Sequence, residues 1–295
     1  MKFYDQHSHT VFSPDARTTV LEVAEHILKC RNKKVSENSA EGVLLKSDAG
    51  LVAGIAFTDH LDLEPPIHPL RFKFDISDQQ AEIQRVQKII NEQGDKLSLF
   101  RGVEVGLQPH SIKLSKEYIE PYRFDVVIAS LHFIDGLDPY RGTYFEDKDY
   151  KQAFSHAYEV MYKTVTAFEE FDILGHFDYV ARYSPYTVQD IFYKDFPDEL
   201  DALLKYLAEN GKALEINTKT YALHPNRHIQ ILDTNILARF KEFGGELITL
   251  GSDAHTAQRI GEHFEYYWEV VKSVGFTHLA YFENRKPIFY NPESI

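Results

Sequence analysis

The chain has 295 residues, 43% of them apolar and 26% charged, the balance of a soluble globular protein with a substantial core. A net charge of −13 disfavours broad attachment to nucleic acid or anionic lipid, and the single Cys30 excludes an intrachain disulfide. Neither a signal pattern nor an apolar run of membrane-spanning length is present, so a cytoplasmic location and no membrane partner are expected.

Short apolar segments alternate with stretches of helical periodicity. KFYDQ (2–6) is the first strand candidate, followed by a helical pattern over 18–31. LVAGIAFT (51–58) precedes a helix over 77–93, and LSLFRGVEV (97–105) and FDVVIASL (124–131) precede one over 149–171. DILGH (172–176), ALEIN (213–217) and ELITLG (246–251) follow, with helices over 198–210, 229–243 and 257–273. HLAYFENRKPIFY adds a last strand or a closing hairpin. Continuous Val/Ile/Leu runs between amphipathic helices predict parallel strands covered by helices. Seven such units favour a (β/α) barrel over an open doubly wound sheet. No Pro/Gly/Ser-rich linker divides the chain, so 1–295 is read as one domain. Two polar stretches are long for plain connections: 31–50 is expected on the outside, and 135–149 as a rim or lid over a pocket.

Six of the 14 histidines fall at or just beyond a predicted strand C-terminus: His7, His9, His60, His132, His176 and His255. Asp15, Glu104 and Asp253 occupy equivalent places. In a parallel barrel these ends converge on one face, where active sites lie. Neutral imidazole and carboxylate are ordinary ligands of zinc, manganese and iron. In HSH both imidazoles leave the same side of an extended segment. Taken singly, HSH reads as a polar turn and SDAH as a helix N-cap. Together, the nine residues point to two or three metal ions, and ions that share a hydroxide activate it as a nucleophile. His26, His156, His263 and His278 read as structural or surface residues, and His68 and His110 as pocket rim. The loop carrying His224, Arg227 and His228 opens on the same face and is read as a substrate contact.

HSHTVFSPDA, FTDH, GVEVG, SLHF, LGHFDYVARY and GSDAHTAQRIG, in this order, resemble the PHP (polymerase and histidinol phosphatase) superfamily, in particular its histidinol-phosphatase branch. The resemblance implies a distorted (β/α)7 barrel with a trinuclear metal centre at the strand C-termini. It implies one ion on His7, His9, Glu104 and Asp253, and a second on His132 and His176 with Glu104 as bridge. A third would sit on His60, His255 and Asp15, a position that can be histidine in related proteins. Glu104 and Asp253 would then carry catalytic roles. The implied activity is hydrolysis of L-histidinol phosphate, a small phosphorylated metabolite of histidine biosynthesis, through a metal-bridging hydroxide.

A phosphate pocket calls for guanidinium groups, and Arg182 and Arg227 are the candidates, with Arg141 weaker. Competing readings are a PHP phosphoesterase acting on a nucleotide, oligonucleotide or phosphotyrosine, a metal-dependent amidohydrolase, and a noncatalytic metal-stabilised module. The acidic charge and the lack of a basic groove weigh against a long nucleic acid. Glu104 stands where a bridging lysine is expected in many binuclear amidohydrolases, and a decayed module should have lost ligands.

Overall fold

A computed structural model describes residues 1–32, 47–65, 72–188, 190–221 and 231–294. Strands β1 (Phe3–Ser8), β2 (Val52–Phe57), β3 (His60–Asp62), β4 (Ser98–Gly106), β5 (Val126–Ser130), β6 (Ile173–Leu174), β7 (Ala213–Asn217) and β8 (Ile248–Gly251) form one sheet. Its order is β2-β1-β8-β7-β6-β5-β4, and β4 pairs back onto β2, so the parallel sheet closes into a barrel. The position beside β4 is shared by two strands. β2 pairs with its first half, from Gly54↔Ser98 to Phe57↔Arg101, and β3 with its second, where His60 faces Glu104. The barrel therefore has seven positions, one of them broken at Thr58–Asp59.

Helices α1 (Val20–Asn32), α2 (Ile76–Glu92), α3 (Ile112–Ile119), α4 (Tyr150–Phe168), α5 (Tyr179–Arg182), α6 (Pro197–Glu209), α7 (Thr234–Glu242) and α8 (Phe264–Ser273) lie in the connections. Their buried faces follow helical spacing: Val20, Val23, Ala24 and Ile27 on α1, and Leu200, Leu203, Leu204 and Leu207 on α6. Each valine, isoleucine or leucine among them contributes roughly 2 kcal/mol on burial. Asp75 caps α2, and Asp149 with Gln152 closes a capping box on α4. α3 is absent from the sequence reading because it buries only Ser115 and Ile119, too little for a periodic signal. The last helix starts at Phe264 rather than near 257, since Gly261 takes φ +66° and interrupts the pattern.

The barrel interior is divided. Its lower half is apolar, built from Ala56, Phe100, Val126, Ile128, Ile173, Ala213 and Leu247. Strands β9 (Leu279–Glu283) and β10 (Lys286–Tyr290) form the closing hairpin, but as a separate two-stranded sheet. The hairpin packs Ala280, Tyr281 and Phe282 against that apolar layer and so plugs the N-terminal end. Asn284 and Arg285 turn it with positive φ.

The 135–149 segment forms a rim: two 3-10 turns, Pro139–Arg141 and Thr143–Phe145, are pinned by buried Tyr144, whose hydroxyl donates to the Ala153 carbonyl at 2.6 Å. Most of the 31–50 segment lies outside the described residues. Among the described residues no helix is long and apolar enough to cross a membrane.

Trp268 is fully buried in the main core and donates to Glu293 at 3.1 Å. Trp268→Ala should lower unfolding free energy by about 3–5 kcal/mol, read from denaturant titrations.

Candidate metal centre

The upper half of the barrel is polar because the strands deliver polar residues at their inward positions. On β4, Phe100 faces the interior and, two steps of two residues later, so does Glu104, which is completely buried. On β1 the register against β2 slips: Asp5 pairs with Ile55 and Ser8 with Phe57, three residues against two. This bulge inverts the phase. Tyr4 packs with the lower interior layer, yet His7 and His9 point inward above it. Gly251 ends β8 beside them, where a Cβ would stand 2.1 Å from Glu215 Oε1 and 2.7 Å from His7 Cβ; only glycine leaves that room. Asp253 takes φ +48°, with its N–H donated to the His7 carbonyl at 2.8 Å, and turns the chain so that Asp253 and His255 reach the same face.

All nine strand-end residues meet around Glu104. Its Oε1 lies 3.4 Å from His7 Nε2, 3.2 Å from His132 Nε2 and 2.7 Å from His176 Nε2. Its Oε2 lies 3.6 Å from His9 Nε2 and 2.6 Å from His60 Nδ1. Asp253 Oδ1 is 3.3 Å from His9 Nε2, and Asp15 Oδ2 is 3.1 Å from His255 Nε2 and 3.6 Å from His60 Nε2. Donor sets within 4.8 Å include His7–His9–Glu104, Glu104–His132–His176, His7–His176–Asp253 and His9–His60–His255. Tetrahedral donors about 2.1 Å from one ion stand roughly 3.4 Å apart, the spacing of the His7, His9, Glu104 and Asp253 contacts. Among the described residues, His7 Nε2 and His9 Nε2 are buried without a hydrogen-bond partner. Buried polar atoms left so are unfavourable, and divalent ions would satisfy them; the donor groups fit metal binding.

Second partners aim the imidazoles. Glu215 Oε1 takes His7 Nδ1 at 2.7 Å and its Oε2 accepts the His176 backbone N–H at 2.6 Å. Asp62 Oδ1 takes His132 Nδ1 at 2.9 Å. His9 Nδ1 meets Ser13 Oγ at 3.2 Å, and Ser13 donates onward to Asp59. His255 Nδ1 donates to the Asp253 carbonyl at 2.9 Å. Each bond presents the other ring nitrogen to the centre. The sequence reading did not single out Glu215, Asp62 or Lys219. A carboxylate inside the otherwise apolar ALEIN run was the available signal for Glu215.

Arg182 is buried; its Nη1 donates to Asp253 Oδ2 at 2.8 Å and its Nε to Thr220 Oγ1 at 2.6 Å. Lys219 Nζ stands 3.0 Å from Asp253 Oδ1. Both cations line a cavity of about 290 Å³ that opens above Asp15, His60, His132, His176, Asp253 and His255. Arg227, His228, His224 and His68 lie outside the described residues. His110 sits exposed against the Glu64 carbonyl and away from the cavity lining, and Arg141 contributes only a 3.9 Å approach to Asp138.

The electrostatics follow from packing. Burial would raise the Glu104 carboxyl, but His7, His60 and His132 hold it well below the usual range. Burial would likewise raise Asp253, which Lys219 and Arg182 hold well below. Burial lowers His176 to about 4. It also opposes protonation of His60, but Glu104 and Asp15 win and push that group up to about 10. His7 and His132 are raised well above the usual imidazole value against the same burial, by Glu215 and Glu104 and by Asp62 and Glu104 respectively. Protons therefore compete with an ion for these three imidazoles. Zinc affinity should therefore rise with pH, with His60 still gaining until pH is near its value of about 10. Calorimetry in buffers of different ionisation enthalpy should register proton release at pH 7; zero release contradicts this assignment.

The PHP domain profile matches residues 40–219. The chain is 32% identical to the histidinol-phosphatase of Lactococcus lactis subsp. lactis over 100% of this chain and 99% of the relative. It is 28% identical to a probable histidinol-phosphatase of Clostridium acetobutylicum over 97% and 96%. The crystal structure of the Lactococcus lactis histidinol phosphate phosphatase, complexed with zinc, L-histidinol and phosphate, superposes with TM-score 0.76 at 28% identity, covering 97% of this chain and 99% of that one. A Listeria monocytogenes structure shares the fold, with TM-score 0.67 at 16% identity, over 90% and 99%. A closed parallel barrel, a histidine–carboxylate cluster at its C-terminal end and these matches agree: the chain belongs to the PHP domain family.

Proposed function

We propose that this protein is a metal-dependent phosphomonoesterase that hydrolyses L-histidinol phosphate to L-histidinol and inorganic phosphate. The observation that carries the reading is one buried carboxylate, Glu104, ringed by five imidazoles, of which His60, His132 and His176 line a cavity together with Arg182 and Lys219. The relatives' names supply the substrate.

Two or three ions, of zinc, manganese or iron, would be held by His7, His9, Asp15, His60, Glu104, His132, His176, Asp253 and His255. When bound, such ions supply Lewis-acid charge to phosphoryl oxygens and lower the pKa of water. Glu104 keeps its negative charge among the imidazoles and would bridge adjacent ions. Asp253, tied to Arg182 and Lys219, links the ion site to the cations that would receive the phosphate. The cavity admits a small metabolite, and the same reading places the 1–295 chain as one catalytic domain of histidine biosynthesis in the cytoplasm.

Phosphate release from L-histidinol phosphate should exceed that from generic monoesters, vanish with chelator and return with zinc. Amide cleavage without phosphate release from any monoester would establish the amidohydrolase reading instead. Arg182→Ala should reduce kcat/KM by about 10²-fold or more. Loss of the Asp253 contact should lower metal content less than activity, a comparison made by metal analysis on the same preparation.

A further inference from the structure

Arg182 is held from a second side by a carboxylate that stays clear of the cavity. Asp178 lies between β6 and α5, buried and away from the cavity lining. It occupies the N-cap position of α5, where an aspartate ordinarily accepts from the first free N–H groups. Its side chain makes no such bond. The carboxylate is turned instead toward the loop after β7. Its Oδ1 accepts from Thr220 Oγ1 at 3.0 Å, and the Tyr221 hydroxyl hydrogen-bonds the same carboxyl. Thr220 is itself buried, and its N–H donates to the Asn217 carbonyl at 3.2 Å, which fixes the turn that carries it.

The direction of each bond follows from the groups. A guanidinium only donates, and an ionised carboxylate only accepts. Thr220 Oγ1 therefore accepts from Arg182 Nε at 2.6 Å and donates its single proton to Asp178. Arg182 Nη1 is bound to Asp253 at 2.8 Å, so two nitrogens of one planar group are fixed and the plane with them. Burial opposes the Arg182 charge, but Asp253 and then Asp178 outweigh it. A carboxylate bonded directly to Nε would compete with an arriving phosphate for the guanidinium. Acting through a hydroxyl, Asp178 orients the group from outside the cavity. Donors oriented beforehand lose less freedom when the anion arrives.

We propose that Asp178 is a positioning residue for phosphate, acting on Arg182 through the Thr220 hydroxyl. The inference rests on the reading of Arg182 as a phosphate-binding group given above. It extends that reading to two residues that meet the phosphate only through the guanidinium.

The test is calorimetric binding of inorganic phosphate to the zinc-loaded full chain, with zinc content measured on each preparation. T220V is nearly isosteric and breaks the relay; D178N keeps an acceptor and removes the charge. T220V should weaken phosphate binding by about tenfold or more, and D178N by about threefold or more, at unchanged zinc content. T220S restores the hydroxyl and should bind phosphate within about twofold of wild type. In an R182A background T220V should cause no further loss, because the relay then has nothing to orient. Unchanged phosphate affinity in T220V or in D178N overturns the relay. So does a T220S as weak as T220V, a parallel loss of zinc, or a further loss of about tenfold in the R182A background, each of which marks a packing role. Wild-type protein that binds phosphate yet releases it from no ester overturns the hydrolysis reading alone, since phosphate affinity still reads the relay. Wild-type protein that binds no phosphate overturns both.

Discussion

Replacing Glu104 with glutamine is expected to lower kcat by about three orders of magnitude while the barrel remains folded. Glutamine has the same shape but no charge, and one end becomes a donor. Glu104 meets His60 at 2.6 Å, His176 at 2.7 Å and His132 at 3.2 Å, with His7 and His9 at 3.4 and 3.6 Å. An amide cannot accept on both sides, and it cannot offset the charge of adjacent ions. Glu104 contributes to the raised values of His7, His60 and His132 alongside Glu215, Asp15 and Asp62, so those imidazoles should hold protons less tightly in chelated protein. Steady-state kinetics, metal analysis and circular dichroism on one preparation check the prediction. Wild-type turnover would remove Glu104 from the bridging role.

Glu215→Gln should weaken metal affinity by about 10–100-fold, with activity recovered at high zinc. Glu215 touches no reacting group; it fixes the His7 ring through Nδ1 at 2.7 Å and the His176 backbone at 2.6 Å. Losing its charge lets His7 rotate and lowers ligand basicity, but the first set of donors remains. Zinc rescue therefore separates the two carboxylates: Glu215→Gln should recover and Glu104→Gln should not. Zinc titrations monitored by phosphate release provide the comparison. An affinity equal to wild type would make Glu215 a packing residue only.

Much of the barrel was legible because parallel strands buried on both faces read as continuous apolar runs, and all seven runs agree with strands β1, β2 and β4 to β8 to within a few residues. The second strand of the broken position, β3, was not. His60 reads as the loop after LVAGIAFT, yet it begins its own strand, because β4 is long enough to pair with β2 below and β3 above. The terminal hairpin was legible as a hairpin, but its place as a plug depends on the apolar layer it covers. Glu215 escaped notice because its partner His7 is 208 residues away. Arg182 was singled out for phosphate from its distance to His176 in sequence; its bonds to Asp253 and Thr220 appear only on folding.

The sequence by itself determined which donors exist and that they belong to one face, since barrel topology sends every strand C-terminus to the same end. Alternation likewise put His7 and His9 on one side of their segment. Only the tertiary structure decided that this side is the interior. A one-residue bulge between Asp5 and Ser8 inverts the phase set by Tyr4, and Gly251 clears the space that His7 and Glu215 fill. Phase and clearance depend on register between strands distant in the chain, which no local pattern of residues encodes.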